Sequence, residues 1–488
     1  MTSDDQRGRF LIGGKWIAPS GRTTIDVVCP STEETIASVP TASVEDIDAA
    51  VGAARNAFDD GLWPRMELAE RISVLRRFRG LLEENLELVA QLVTSEMGAP
   101  ISQSRAIQLG APLALLDAYV EAAEQYPFRS LRLAPTGNAL VAREPVGVVA
   151  AVVPWNVPVM AAINKMVPAL LTGCTVVFKP APETPLSSYI IAELLQEAGL
   201  PDGVVNMLVA DREVSEYLVS HPGVDKVTFT GSTVAGRRIA ALCGEDIRRV
   251  TLELGGKSAA IILDDADLDA CVEALRLGSL RNSGQICTLK TRLIVSERRR
   301  DELLDRLTGL VRSMPVGDPF DTDTQIGPLV SERQRARVED YIASGRHQGA
   351  TLVTGGGRPS SLDRGWYVEP TVFADVMPDM RIAQEEIFGP VLAVLNYADE
   401  SHAIALANDS DYGLSGAVFS ADIEHALAVA GRIKTGTVEI NGFSAGFQAP
   451  MGGWKRSGIG REGGREGLGS YTELKAYGLP REFAEALR

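Results

Sequence analysis

Between residues 146 and 253 short, uniformly apolar runs alternate with amphipathic stretches, and that alternation leaves few folds open to the chain. Strands are expected at 148–153, 174–178, 204–209, 226–229 and 249–253, with helices around 159–171, 186–198, 214–219 and 234–242 between them. Strands that lack polar alternation must be covered on both faces, which requires a parallel sheet between two helical layers. A second region of the same kind follows, with strands expected at 259–263, 292–295, 391–395 and 436–440 and helices around 268–281 and 302–312. The fold class is therefore α/β, with two parallel-sheet domains. Ahead of them, Ile72, Leu75, Phe78, Leu82, Leu86, Val89 and Val93 recur every three or four residues, the buried stripe of a helical segment over 71–97. Short β-rich pieces at 10–12 and 34–39 belong to a peripheral sheet or arm.

Charge and cysteine usage narrow the function classes. The 488 residues carry a formal net charge of −16, which argues against a broad nucleic-acid or anionic-membrane surface. Arg298-Arg299-Arg300 reads as a solvated helix start. Cysteines 29, 174, 243, 271 and 287 are too scattered for a disulfide framework, and with no Cys-x-x-Cys and only four dispersed histidines no metal site is expected. The longest uncharged segment, 145–164, contains three prolines and reads as strand, turn and helix start rather than a membrane span. The first seven residues lack the basic-then-apolar profile of an export signal, so a cytoplasmic location is expected.

Chemistry concentrates in a few turns. Asn282-Ser-Gly-Gln-Ile-Cys287 places a cysteine among residues that form poor cores, whereas Cys29, Cys174, Cys243 and Cys271 lie in apolar contexts and read as structural. A thiol so flanked can be approached by a carbonyl compound, and Glu253 in Leu252-Glu-Leu-Gly-Gly-Lys257 can take a proton from the thiol or from a water. Pro154-Trp-Asn156 follows an apolar strand; its amide either donates to a developing oxyanion or holds a turn. Thr228-Phe-Thr-Gly-Ser-Thr233 follows a strand and opens a helix, as a phosphate site or a packed turn would, but lacks the Gly-x-Gly-x-x-Gly spacing. Lys179 closes another strand, where it either donates to ribose or phosphate or is an exposed strand end.

Taken together these segments resemble the NAD(P)-dependent aldehyde dehydrogenase superfamily, in its hydrolytic, non-acylating branch. The likeness runs from Gly13-Gly-Lys-Trp16 to Tyr471-Thr-Glu-Leu-Lys475 and includes Glu386-Ile-Phe-Gly-Pro390 and Gly452-Gly-Trp-Lys-Arg-Ser-Gly458. The resemblance implies Cys287 as nucleophile, Glu253 as general base, Asn156 as oxyanion donor, and Lys165 with Glu462 as a proton-exit relay. It implies a cofactor site made by Trp155, Lys179, Gly231, Ser232, Gly256, Glu386 and Phe388, with NAD as the expected cofactor. NADP is also open, because Pro182 stands where a ribose-clasping glutamate is usual and Glu183 comes one place later.

The resemblance also implies a substrate tunnel bordered by Val157, Asn164, Ile286, Thr288, Phe443, Phe447 and Met451, suited to medium-length aliphatic or aromatic aldehydes. By the same likeness, 1–124 and 146–255 form the dinucleotide-binding domain and 256–457 the catalytic domain. Residues 125–145 and 458–488 then form an oligomerisation arm and tail, giving a homodimer or homotetramer. Two rivals are weighed by residue chemistry. A coenzyme A-acylating enzyme is opposed by Glu253, and an inactive dinucleotide-binding protein by the joint presence of Cys287, Glu253 and Asn156.

Overall fold

A computed structural model describes residues 7–487 of the chain; the expectation about the first residues falls, for 1–6, outside those described. An eight-stranded sheet is built in the order Gly458–Ile459, Arg249–Glu253, Lys226–Thr230, Val148–Val152, Thr175–Lys179, Val205–Met207, Phe10–Ile12, Lys15–Ile17. Its five central strands are parallel and both edges antiparallel. Alternation along the strands explains the layers. Val149, Ala151, Val176 and Phe178 face helices Leu68–Glu84, Ala111–Glu124, Pro158–Thr172 and Leu186–Glu197, whereas Val148, Ala150, Val152 and Val177 face Val44–Asp59 and Thr233–Glu245.

The second sheet has seven strands, in the order Thr351–Thr354, Thr371–Ala374, Val391–Tyr397, Lys290–Ser296, Ser258–Ile262, Ser415–Phe419, Thr437–Ile440, parallel except at the first pair. Ala260, Ile262, Leu293 and Val295 pack on helices Leu268–Leu280 and Arg300–Ser313, and the alternate residues Ala259, Ile261 and Ile294 on the opposite layer. A three-stranded sheet joins Thr472–Leu479, Gly137–Pro145 and Arg129–Ala134. The tail strand thus finds its partner in its own chain, and Leu474 and Tyr477 on it remain exposed.

Two features depart from the sequence reading. The helical stripe over 71–97 is two helices, Leu68–Glu84 and Leu86–Met97, because Asn85 leaves helical geometry and turns its amide onto the Leu81 carbonyl at 2.8 Å. The apolar face continues across the break, with Phe78, Leu82, Val89 and Val93 all buried. Residues 458 and 459, placed in the tail by sequence, form an edge strand of the first sheet beside Leu252 and Glu253.

Gly458 makes that edge possible. It adopts φ 143°, and a Cβ there would enter the Leu252 carbonyl. Gly458→Ala is expected to push the edge strand off Glu253, lowering the apparent melting temperature by at least about 2 °C and reducing turnover. Unchanged melting and turnover in the variant would contradict this role.

Candidate active site

The loop that carries Cys287 is strained and heavily tied. After helix Leu268–Leu280 the chain passes through Asn282 and Ser283 at φ 54° each and Gly284 at φ 77°. Two successive non-glycine residues in the left-handed region persist only where the surroundings over-determine them. Here the Asn282 N–H donates to Gln103 Oε1 at 2.7 Å, Ser283 Oγ to the Gly327 carbonyl at 2.8 Å, and the Val330 N–H to Gln285 Oε1 at 3.0 Å. The outcome is a thiol partly open to a cavity, whereas the other four cysteines are buried. Burial, followed by the nearby carboxylates of Glu386 and Glu253, pushes the Cys287 thiol up to about 12.

Two segments clamp this loop from the first sheet. Asn156, just beyond strand Val148–Val152, donates its side-chain amide to the Gln285 carbonyl at 2.7 Å, and its own carbonyl accepts from Gln108 at 3.0 Å and Asn282 at 3.1 Å. Gly256 packs so closely that a Cβ on it would lie 2.7 Å from the Cys287 carbonyl. Its N–H donates to Glu386 Oε1 at 2.9 Å.

A cavity of about 320 Å³ opens from Cys287. Val157, Asn164, Ile286, Thr288, Phe447 and Met451 line it, joined by Ile107, Leu115, Met160 and Val438. Phe443, expected at its outer end, is not among the lining residues. It is 79% exposed, because the turn after strand Thr437–Ile440 directs it outward and leaves Ser444 to Phe447 as the wall.

Behind the cavity lies a buried polar network. Lys165 Nζ pairs with Glu462 Oε1 at 2.6 Å, and Asn164 donates to Glu462 Oε2 at 2.6 Å. Tyr119 donates its hydroxyl to Asn164 Oδ1 at 2.7 Å and accepts from the Gly463 N–H at 2.7 Å. Glu253 sits beside this pair, 2% exposed, with neither carboxylate oxygen hydrogen-bonded. Burial first, then the Glu462 charge, raise its pKa well above the ordinary carboxylate range, against the opposing pull of Lys165 and Arg461. Asn164 therefore does more than line a wall: it fixes Glu462.

On the other side of the Cys287 loop, the strand ends of the first sheet supply donors. Lys179 is buried at the end of Thr175–Lys179, and desolvation draws its pKa down to about 8 against the opposing charges of Glu183 and Asp211. Ser232 caps helix Thr233–Glu245 by accepting from the Ala235 N–H, and Gly231 leaves no room for a Cβ above the Phe229 ring. Trp155 and Phe388 meet edge to face at 5.4 Å between centroids. A buried lysine, a capped helix start and a carboxylate held by a backbone N–H fit the phosphate and ribose chemistry of a dinucleotide. Glu183 reaches the exposed Arg333 at 3.3 Å.

The model of the family described as the aldehyde dehydrogenase family matches residues 16–477. The chain belongs to the aldehyde dehydrogenase family. Geranial dehydrogenase from Castellaniella defragrans is 48% identical over 98% of this chain and 99% of its own length. The structure of a Mycobacterium tuberculosis aldehyde dehydrogenase complexed with NAD+ superposes with a TM-score of 0.96, at 46% identity over 97% of this chain and 98% of that one. A mutant of AldC from Pseudomonas syringae, complexed with NAD+ and octanal, gives 0.95 at 40% identity, covering 98% of both chains.

Sequence reasoning about this aldehyde dehydrogenase passed over Tyr119, Gln285 and Arg281. Tyr119 lies in an apolar helix and carries no local signal. Gln285 and Arg281 flank the cysteine loop, and their polar character inside a buried turn was the available clue. For the thiol the consequence is direct. In the cofactor-free protein its alkylation by iodoacetamide should rise about tenfold per pH unit from pH 7 to 9 without a plateau. Glu386→Gln should shift the profile to lower pH, since removing a negative neighbour favours thiolate. A plateau near pH 7 in the wild type would contradict the surroundings described.

Proposed function

We propose that the chain oxidises aldehydes irreversibly to carboxylic acids with NAD, through a thioester on Cys287. The observation that carries this reading is a partly open thiol at a mainly apolar cavity, on a loop tied down by Asn156 and near the buried Glu253 carboxylate, which has no hydrogen-bond partner.

The residues divide the work by charge. Cys287, as thiolate, forms a bond to the aldehyde carbon, and the resulting oxyanion is stabilised by the second Asn156 amide hydrogen and the Cys287 N–H. NAD, when bound, accepts the hydride lost from that carbon. Lys179 and Ser232 would hold its adenosine and phosphate side, Glu386 its nicotinamide ribose, with Trp155, Phe388, Gly231 and Gly256 shaping the groove. Glu253 then takes a proton from water, whose oxygen attacks the thioester and frees Cys287. Burial, which raises its pKa, makes it a stronger base than an ordinary carboxylate. Lys165 and Glu462 relay that proton outward. Aldehyde, NAD+ and water give carboxylate, NADH and two protons.

The first sheet serves as the dinucleotide-binding domain and the second as the catalytic domain. The exposed side chains of the three-stranded arm support pairing with another copy in a homodimer or homotetramer. Among the described residues no helix is long and apolar enough to cross a membrane. The mainly apolar lining supports medium-length aliphatic or aromatic substrates.

A panel of aldehydes with NAD or NADP, followed by absorbance of the reduced cofactor, tests the reading. Turnover should need no coenzyme A and favour NAD, and Asn156→Ala should lower kcat by about 10²–10³-fold. No reduction with any aldehyde would remove the enzymatic claim, and dependence on coenzyme A would move it to thioester formation.

A further inference from the structure

Three charged side chains reach the cavity beside Cys287: Arg281, Glu439 and Glu462. Two of them are matched. Glu462 is held by Lys165 and Asn164, and Glu439 pairs with Lys290 at 2.5 Å. Arg281 forms no ion pair of its own among the described residues. Its Nε is buried without a partner, and one terminal nitrogen donates to Thr288 Oγ1 at 3.5 Å, the outer limit of a useful contact.

Charge counting makes the imbalance plain. Arg281 and Lys290 are two cations, and Glu439 is the one carboxylate between them. A guanidinium carries five donors; in the half-buried Arg281 the Nε is shut away from water without a partner, which is costly, and the terminal nitrogens have only the Thr288 contact. Burial accordingly lowers the Arg281 pKa, while the opposing charges of Glu439 and then Cys287 support its charged form. The planar fork matches the two oxygens of a carboxylate better than any neutral group. Around it Ile107, Leu115, Met160 and Phe447 offer apolar surface to the rest of a ligand.

We propose that Arg281 is a specificity-determining residue, and that the preferred substrates are aldehydes bearing a carboxylate on an apolar body. The aldehyde carbon meets Cys287 while the carboxylate takes the free donors of Arg281. The carboxylate is bound and not transformed, so the product is a dicarboxylate. This rests on the reading that Cys287 attacks an aldehyde.

Matched pairs test it: 4-formylbenzoate against 4-methylbenzaldehyde, and 5-oxopentanoate against pentanal, each with NAD. In the wild type kcat/KM should favour the carboxylate member of each pair by at least about tenfold, as expected for a hydrogen bond to a charged group. Arg281→Met should collapse that ratio, chiefly through KM, and Arg281→Lys should keep part of it. A wild-type preference for the uncharged members, or an equal loss for both members in Arg281→Met, overturns the proposal. Equal loss would mean that the arginine serves the thiol or the fold. No NADH from any of the four aldehydes would instead remove the parent reading, and this one with it.

Discussion

Hydrogen bonds at Asn156 join the two halves of the site. The Asn156 amide, anchored at the end of a first-sheet strand, donates at 2.7 Å to the Gln285 carbonyl in the loop that feeds the second sheet. That loop is held in left-handed geometry it would not adopt alone, so its position depends on ties from outside. A buried amide left without its acceptor would cost about 1–3 kcal/mol, and more important, it would free the cysteine to leave the cavity. Gly256 reinforces the tie by packing against the Cys287 carbonyl while its N–H holds Glu386. The thiol and the carboxylate expected to bind the nicotinamide ribose are thereby set by one short segment.

The price of this construction is a concentration of buried charge. Glu253, Lys179 and the Lys165–Glu462 pair all sit out of water within or beside the site. Desolvation is the first cause of the raised Glu253 pKa and of the lowered Lys179 pKa, and a stable protein tolerates such groups where they are paired or where their strained protonation is used. Glu462 is fully engaged by Lys165 and Asn164, whereas Glu253 has no bonded partner. The contrast separates a carboxylate fixed by its partners from one that has none.

Much of this architecture was legible in the residues. The strand 249–253 was bounded correctly because Val250, Leu252 and the glycines after Glu253 mark both its character and its end. Cys287 stood out for the company it keeps, and Lys179 for closing an apolar strand. Strand Ser415–Phe419 escaped notice because its serine and glycine weaken the apolar pattern, and helix Glu332–His347 because its charged residues hide the stripe formed by Val338, Tyr341 and Ile342. Phe443 faced the wrong way for a reason no local pattern contains: the direction of a turn after the last strand. The break at Asn85 was equally invisible, since the buried face runs on across it.

The central claim is a covalent acyl group on one sulfur, and mass spectrometry of the Glu253→Gln protein mixed with NAD and an aldehyde tests it most directly. With the water-activating carboxylate removed, the peptide containing Cys287 should gain the mass of the acyl group, and the increment should vanish on treatment with hydroxylamine. An unmodified Cys287 peptide together with undiminished NADH production would contradict it.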